Sequence, residues 1–140
     1  MAAIPGSGEV PVAFTYSLDL ARLVAASLAI GKWKSETVIY GEELSFNQFV
    51  QTFESVKGTK MKVTYDSVED LKAGKVTELP THPAMYPFFP KEMLQGLLAT
   101  FGLLFESGAF DLEANDHSIV QKFPEVKPRT MRNLLEEAMQ

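Results

Sequence analysis

Two histidines, with a few tyrosines and carboxylates, are the side chains of this sequence that could exchange protons with a substrate. His82 and Tyr86 stand four residues apart in a proline-rich segment, close enough to place an imidazole and a phenol at the mouth of one pocket. Imidazole titrates near neutral pH, which suits acid–base catalysis. We therefore predict His82 and Tyr86 as candidate catalytic residues. The alternative is a loop histidine that packs or hydrogen-bonds locally.

The second histidine lies in an acidic segment. His117 follows Asp116, with Glu113 nearby, a composition that superficially suggests a metal site. A metal centre needs several ligands at defined spacing, and no second histidine stands at ligand spacing from His117. The chain has no cysteine, so thiolate ligands, disulfides and a cysteine nucleophile are excluded. We predict no metal site, and the sequence has no nucleophile elbow of the G-x-S-x-G type.

An aromatic, proline-rich loop is the best candidate for contact with a ligand. Residues 85–90 read MYPFFP, and residues 79–90 hold four prolines, which remove backbone donors and prevent regular structure. Pockets for small molecules are mostly apolar with a few polar groups. The predicted substrate-binding residues are Met85, Phe88 and Phe89 of this loop and Phe101 of the helix that follows. Phe88 and Phe89 could equally fill the core.

A predicted succession of helices and short strands positions these side chains. Five helices are predicted: over 17–30 with Ser17 as N-cap, from Ser45 to before Gly58, from Ser67 to Gly74, over 91–106 and after Thr130. Extended segments or strands are predicted at 10–15, 37–40, 60–65 and 109–112. The first helix is apolar around nearly its whole circumference, which is typical of a helix buried on more than one side. We predict a single α+β domain over residues 1–140, with helices packed on a small sheet.

Composition and charge exclude several classes of function. The 140 residues include 46% hydrophobic and 22% charged side chains, and the formal net charge is −5. Nucleic-acid and anionic-membrane surfaces need clustered positive charge, so neither partner is expected. No apolar run approaches the ~18 residues of a membrane span, and the first residues lack the features of a signal peptide. We therefore predict a cytoplasmic protein.

Six short segments, in this order along the chain, resemble one known family. They are residues 4–12 (IPGSGEVPV), 14–22 (FTYSLDLAR), 41–48 (GEELSFNQ), 53–58 (FESVKG), 63–67 (VTYDS) and 123–128 (FPEVKP). Together they resemble the C-terminal part of NmrA-like, isoflavone-reductase-like proteins, which are atypical short-chain dehydrogenases. The resemblance is strongest to the fungal secondary-metabolism branch and extends over roughly residues 4–138.

This resemblance implies an oxidoreductase of fungal secondary metabolism that acts on a hydrophobic small molecule. The chain would be the substrate-side half of a Rossmann-type protein, a truncated form without the dinucleotide-binding half. The family uses NADPH, bound by a glycine-rich turn after a strand; residues 6–8 (GSG) have no predicted strand before them and no third glycine, so no cofactor is expected for this chain alone. Tyr16 and Asp19 match the family's tyrosine and aspartate positions at the head of the first helix, and we predict both as candidate acid–base residues; the aspartate could instead serve the helix N-terminus.

Without a nucleotide-binding half, the helix at 17–30 and the strand at 37–40 would leave apolar surface bare. Burial of ~400 Å² of such surface is worth about 10 kcal/mol before opposing terms, and a monomer rarely leaves that much exposed. We therefore predict a homodimer with these two elements near the interface. Two other functions stay open: a cofactor-independent cyclase, isomerase or lyase that reuses the substrate pocket, and a non-catalytic binding or regulatory module.

Overall fold

The computed structural model describes residues 1–32, 34–112 and 120–139. Over these residues the strands are β1 (Ala2–Pro5), β2 (Val12–Phe14), β3 (Glu42–Leu44) and β4 (Val63–Asp66), and the helices are α1 (Ser17–Ser27), α2 (Phe46–Lys57), α3 (Val68–Lys72), α4 (Lys91–Glu106) and α5 (Met131–Ala138). Short 3-10 helices span His82–Met85 and Val120–Lys122. This is the predicted α+β organisation, with helices packed around small sheets.

The strands form two separate pairs. β1 runs parallel to β4, with Ala2 opposite Val63, and β2 runs antiparallel to β3, with Val12 opposite Leu44. β4 begins three residues later than the strand predicted at 60–65. Strand β1 is absent from the sequence prediction because it is a four-residue segment that contains a proline and borders a glycine turn. Its pairing with a distant strand, and the burial of Ile4 to 2% exposure, stabilise it.

The strand predicted at 37–40 is wrong. Only Val38 makes an isolated bridge there, and the ladder begins after Gly41, at β3. Gly41 donates its N–H to the carbonyl of Phe14 at 3.0 Å and lies where a Cβ would come within 3.2 Å of that oxygen. The partner strand therefore sets the register and overrides the β-branched composition of the preceding segment. The strand predicted at 109–112 is also wrong: turns replace it, although the Phe110 carbonyl accepts the N–H of Ala13 at 2.9 Å.

Helix α1 is shorter than predicted and is buried along one stripe only. It ends at Ser27 rather than at residue 30, and its N-cap residue is Tyr16 rather than Ser17. Leu23 is fully buried, whereas the apolar side chains that remain exposed are Leu18, Leu20, Val24 and Leu28. Burial on more than one side is therefore wrong for the single chain. An exposed apolar face on α1 is what the predicted homodimer requires, but the dimer itself stays a prediction.

Helices with strong local signals lie where the sequence places them. α2 begins with a capping box, in which Ser45 accepts the N–H of Gln48 at 3.2 Å and donates its own N–H to the Gln48 side chain at 2.8 Å. It ends at Gly58, whose φ of +69° is the left-handed conformation that glycine adopts without strain. α4 has the predicted bounds, and Thr130 caps α5. None of the helices in the described parts of the chain is long and apolar enough to cross a membrane.

A cluster of phenylalanine rings joins β2, α2 and α4. Phe46 meets Phe105 edge-on at 5.1 Å between ring centroids, and Phe105 lies 4.8 Å from Phe110. Phe14 contacts Phe46 at 6.3 Å, and Phe101 contacts Phe105 at 6.1 Å. Edge-on and tilted pairs of this kind add to the stabilisation from buried area. The cluster forms one wall of the pocket described next.

Candidate functional site

An apolar pocket lies between β1, the end of β4, α3 and α4. Its volume is about 190 Å³. This is smaller than the ~300–1,000 Å³ of pockets for drug-sized ligands and close to the size of an engineered cavity of about 150 Å³ that binds benzene. Its apolar walls include Phe46, Leu71, Leu79, Leu98, Phe101 and Phe105. The pocket therefore fits one ring-sized apolar group.

Gly102 allows α4 to pack closely beside this pocket. A Cβ at Gly102 would lie 3.0 Å from a methyl group of Leu71 and 3.1 Å from Pro5, closer than side-chain contacts normally are. Glycine in the middle of a helix is destabilising by roughly 0.5–1 kcal/mol relative to alanine. The close approach of α4 to β1 and α3 accounts for a glycine at this position.

Asp66 and Thr77 form the polar edge of the pocket. The Thr77 N–H lies 3.0 Å from each carboxylate oxygen of Asp66, and the Thr77 hydroxyl donates to Oδ1 at 2.6 Å. The backbone carbonyl of Asp66 accepts the N–H of Gly6 at 2.8 Å. Asp66 thus fixes the chain that leaves α3 against the end of β4, and its carboxylate brings negative charge to the pocket wall.

His82 lines the same pocket, half-buried at the start of the 3-10 helix His82–Met85. Its Nδ1 accepts the backbone N–H of Leu79 at 3.3 Å. A ring nitrogen that accepts a hydrogen bond carries no proton, so this contact assigns the proton of the neutral ring to Nε2. The structure therefore places the predicted His82 at a pocket, with an N–H donor available. Its role in catalysis stays a prediction.

Tyr86 belongs to a charged cluster beside the loop rather than to the lining of the pocket. Its hydroxyl donates to Glu78 at 2.8 Å, and Lys91 forms an ion pair with the other oxygen of Glu78. Burial and the hydrogen bond to Glu78 raise the pKa of Tyr86. The Lys91 and Tyr86 contacts lower the pKa of Glu78. The phenol is therefore held protonated, which suits a donor and disfavours a base.

The predicted substrate-binding residues fall into two groups. Phe101 lines the pocket from α4. The three loop residues lie on the surface instead, with exposures of 44% for Met85, 79% for Phe88 and 40% for Phe89. Backbone hydrogen bonds from Phe88 and Phe89 to the carbonyl of Met85 hold the loop in a compact turn. Within this chain, therefore, the loop aromatics neither fill the core nor line the pocket.

Of the other predicted catalytic residues, Tyr16 lines a second groove between β2, β3 and α5, and Asp19 lies nearby in the first turn of α1. Asp19 is 1% exposed and accepts three hydrogen bonds: from the Arg129 N–H at 2.8 Å, from Arg129 Nε at 3.4 Å and from Arg22 at 3.1 Å. The guanidinium of Arg129 lies 4.1 Å from the ring centroid of Tyr16. These contacts join the start of α1 to the segment before α5.

The charge state of Asp19 follows from this environment. Burial raises the pKa of Asp19, but the hydrogen bonds from Arg129, its positive charge and that of Arg22 outweigh burial, so the pKa is lowered overall. The carboxylate is therefore ionised at neutral pH and is held by Arg129 and Arg22. This geometry gives Asp19 a positioning role within the fold.

The glycine turn at residues 6–8 follows a strand, so the absence of a preceding strand is a wrong prediction. The Ser7 N–H donates to Glu106 Oε2 at 3.2 Å, and a Cβ at Gly6 (φ +58°) would lie 2.1 Å from that oxygen. The turn does not fit the pyrophosphate of a dinucleotide, because its amide already holds a carboxylate that would repel phosphate oxygens. The acidic segment with Glu113, Asp116 and His117, where no metal site was predicted, lies outside the described residues. Residues 1–32, 34–112 and 120–139 contain no cluster of metal-ligating side chains.

The fold is found within a larger protein of known structure. The chain superposes on AtPrR2 with NADP⁺ and (+)pinoresinol with a TM-score of 0.73, and on apo AtPrR2 with a TM-score of 0.71, at 23% identity in both cases. The match covers 97% of this chain and 41–42% of AtPrR2. At this identity the likeness shows the fold alone, a small α+β unit that is also part of AtPrR2.

Two fungal relatives of the chain are named as oxidoreductases. Oxidoreductase swnN of Metarhizium robertsii is 32% identical over 126 residues, and Oxidoreductase BOA1 of Botryotinia fuckeliana is 31% identical over 125 residues; each alignment covers 88% of this chain. The chain spans 36% and 37% of the lengths of these two relatives. No family model matches the chain. The comparisons thus give the chain fungal relatives that are named as oxidoreductases, and a fold that it shares with part of AtPrR2.

The sequence did not indicate several polar residues of the apolar pocket and of the Asp19 contacts. Asp66 was not singled out from the sequence; it directly precedes Ser67, which caps α3 by accepting the N–H of Asp70 at 3.1 Å. Its contact with Thr77 spans 11 positions along the chain and has no local signal. Arg129 lies 110 positions from Asp19. The signal available for Arg129 was its place just before a predicted helix cap, which says nothing about Asp19.

Proposed function

We propose that this chain forms the substrate-binding part of an NmrA-like, isoflavone-reductase-like oxidoreductase, and that its substrate is a hydrophobic small molecule of fungal secondary metabolism. The observation that carries the proposal is the apolar pocket bounded by Phe101 and His82, in a fold shared with AtPrR2, which has been solved with NADP⁺ and (+)pinoresinol. The oxidoreductase names of the fungal relatives support the class of chemistry.

The proposal gives the residues that the structure describes no part in nicotinamide chemistry. The turn after β1 does not fit a dinucleotide, because Glu106 holds its Ser7 amide. We therefore assign no hydride-transfer step to these residues. Their role in the proposal is to bind the substrate, to exclude water with the phenylalanine wall and to orient one polar group through His82.

Binding of a small apolar probe tests the proposal. Ethylbenzene is a neutral one-ring molecule that matches a pocket of about 190 Å³, and we expect saturable binding to the 140-residue chain in a ligand-observed NMR titration. Leu98→Trp fills the pocket from α4 and should abolish binding. Met93→Trp is the matched control, because Met93 lies on the same helix but is 61% exposed and outside the pocket.

Both variants are first checked for cooperative melting by circular dichroism, and Leu98→Phe is used if the tryptophan variant does not fold. The proposal is contradicted if ethylbenzene does not bind, or if it binds the pocket-filled variant as well as the unaltered chain. NADPH titrated into the same chain should give no saturable signal, since Glu106 holds the Ser7 amide in the glycine turn. Saturable NADPH binding would overturn the division of roles proposed here.

A further inference from the structure

The pocket holds one side-chain donor that the fold leaves unused. The N–H and the hydroxyl of Thr77 donate to the Asp66 carboxylate through three contacts of 2.6–3.0 Å, so these polar groups already have partners. His82 Nδ1 is engaged by the Leu79 N–H, and among the described residues no hydrogen bond involves Nε2. Because Nε2 is not one of the buried unpartnered atoms of the described residues, it is open to water, and a ligand in the pocket that His82 lines can replace that water.

The size and charge of the pocket limit what that ligand can be. A volume of about 190 Å³ between Phe46, Phe101 and Phe105 holds a single ring. The donor at His82 is complementary to an oxygen acceptor on that ring. The Asp66 carboxylate is the acidic group in the pocket wall, and a second negative charge beside it would be repelled.

We propose that the pocket selects a neutral ring that carries a carbonyl or ether oxygen, and that His82 Nε2–H donates the hydrogen bond that selects it. The inference rests on the proposed function and adds the substrate class at the same site. His82 is in this view a specificity-determining residue: it holds the oxygen of the ring at the pocket, while the phenylalanine wall supplies most of the affinity.

Two probes of similar shape isolate the hydrogen bond. Acetophenone has a carbonyl oxygen that ethylbenzene lacks, and both are titrated into the 140-residue chain by competition NMR. One hydrogen bond is worth about 0.5–1.5 kcal/mol net, so we expect acetophenone to bind about two- to tenfold more tightly. Benzoate, which has a similar ring but a negative charge, should bind more weakly than acetophenone.

Variants at position 82 assign the preference to the imidazole. His82→Phe keeps a ring but removes the donor, and the acetophenone preference should fall to about onefold. His82→Gln keeps an N–H at a similar reach and should restore part of the preference. Both are checked by thermal melting, and Met93→Trp serves as the control that should leave the preference unchanged.

The outcomes separate this inference from the proposed function. If no neutral probe binds, the proposed function fails with it. If ethylbenzene and acetophenone bind equally well to the unaltered chain, the pocket stands and the role of His82 is wrong. A preference that survives in His82→Phe, or benzoate binding that is tighter than acetophenone binding, also overturns the inference.

Discussion

Two places in the molecule, around Asp19 and around His82, hold polar residues that the sequence marks for chemistry, and they use these polar groups in opposite ways. At the start of α1, Asp19 is 1% exposed, and Arg129 and Arg22 donate to both of its oxygens. In the pocket beside α4, His82 is half-buried and has one ring nitrogen engaged by the backbone of Leu79. Both oxygens of Asp19 are therefore hydrogen-bonded within the chain, whereas His82 has a ring N–H that can donate to a ligand.

This difference separates positioning residues from candidate ligand contacts. A buried carboxylate whose oxygens are all hydrogen-bonded within the chain has little capacity left for a substrate. Asp19 instead joins α1 to the segment before α5, across 110 positions of sequence. The pocket is mostly apolar and carries few polar groups, which is the composition of small-molecule sites. Mutations should therefore affect stability at the first place and binding at the second.

The largest expected effect is the loss of stability in Asp19→Ala. Removal of the carboxylate leaves the N–H of Arg129 without its partner inside the fold, and we expect the free energy of unfolding to fall by about 3 kcal/mol. Urea denaturation followed by circular dichroism measures it. His82→Ala, which removes one 3.3 Å contact at a half-buried site, should lower the free energy of unfolding by less than about 1 kcal/mol.

The exposed carboxylate on the same arginine is the matched control. Glu137 pairs with Arg129 at 3.2 Å but is 58% exposed, and exposed ion pairs contribute ~0–1 kcal/mol. Glu137→Ala should therefore leave the urea midpoint nearly unchanged. Equal losses in Asp19→Ala and His82→Ala, or no loss in Asp19→Ala, would remove the distinction between the two places.

Acid should weaken the Asp19 contacts. The pKa of Asp19 is lowered from its ordinary value of 3.8, so its ionised form stabilises the folded state above that value. The contribution is lost as the pH falls from about 4 through the lower pKa of the folded state. The difference in unfolding free energy between the unaltered chain and Asp19→Ala should thus shrink between pH 5 and pH 2. A difference that stays constant over this range would contradict the assignment.

Elements with a strong local signal were predictable from the sequence, and elements defined by a distant partner were not. The capping boxes of α2 and α5 and the apolar stripe of α4 involve residues within a few positions of one another, so their patterns are visible in one window. β1 and β3 are short strands whose existence depends on pairing with β4 and β2. For the same reason a composition rich in β-branched residues at 37–40 predicted a strand that the fold does not form.

The candidate site shows the same limit. His82 and Phe101 were marked by residue type and lie in the pocket. Whether Asp19 or Tyr86 would face a ligand depended on Arg129 and on Glu78 with Lys91, contacts that no local pattern in the sequence specifies. Residue type thus indicated which groups can do chemistry, and long-range packing decided which of them remain available.

A smaller effect is expected at the charged cluster beside the loop. The pKa of Tyr86 is raised by burial and by Glu78, so its phenol should ionise later than an ordinary tyrosine. A titration at 295 nm of the unaltered chain should show a late phase that is missing in Tyr86→Phe. Tyr65→Phe is the control, since Tyr65 is 52% exposed and donates to Asn47 rather than to a carboxylate. If Tyr65→Phe removes the late phase instead, the raised pKa does not belong to Tyr86.

Substitutions on the outer face of α1 should have the smallest effect on stability but should change the mass of the particle in solution. Leu20, Val24 and Leu28 form an exposed apolar stripe without a charged residue among them, which is suited to pairing with the same stripe of a second copy. We predict a dimer of the 15.5 kDa chain in light scattering at micromolar concentration, and a monomer for Val24→Asp with Leu28→Asp. Because both positions are exposed, the monomer should unfold within about 0.5 kcal/mol of the unaltered subunit. Met93→Asp, at an exposed position of α4, should leave the dimer intact. A monomeric unaltered chain would instead show that α1 needs no partner of its own kind.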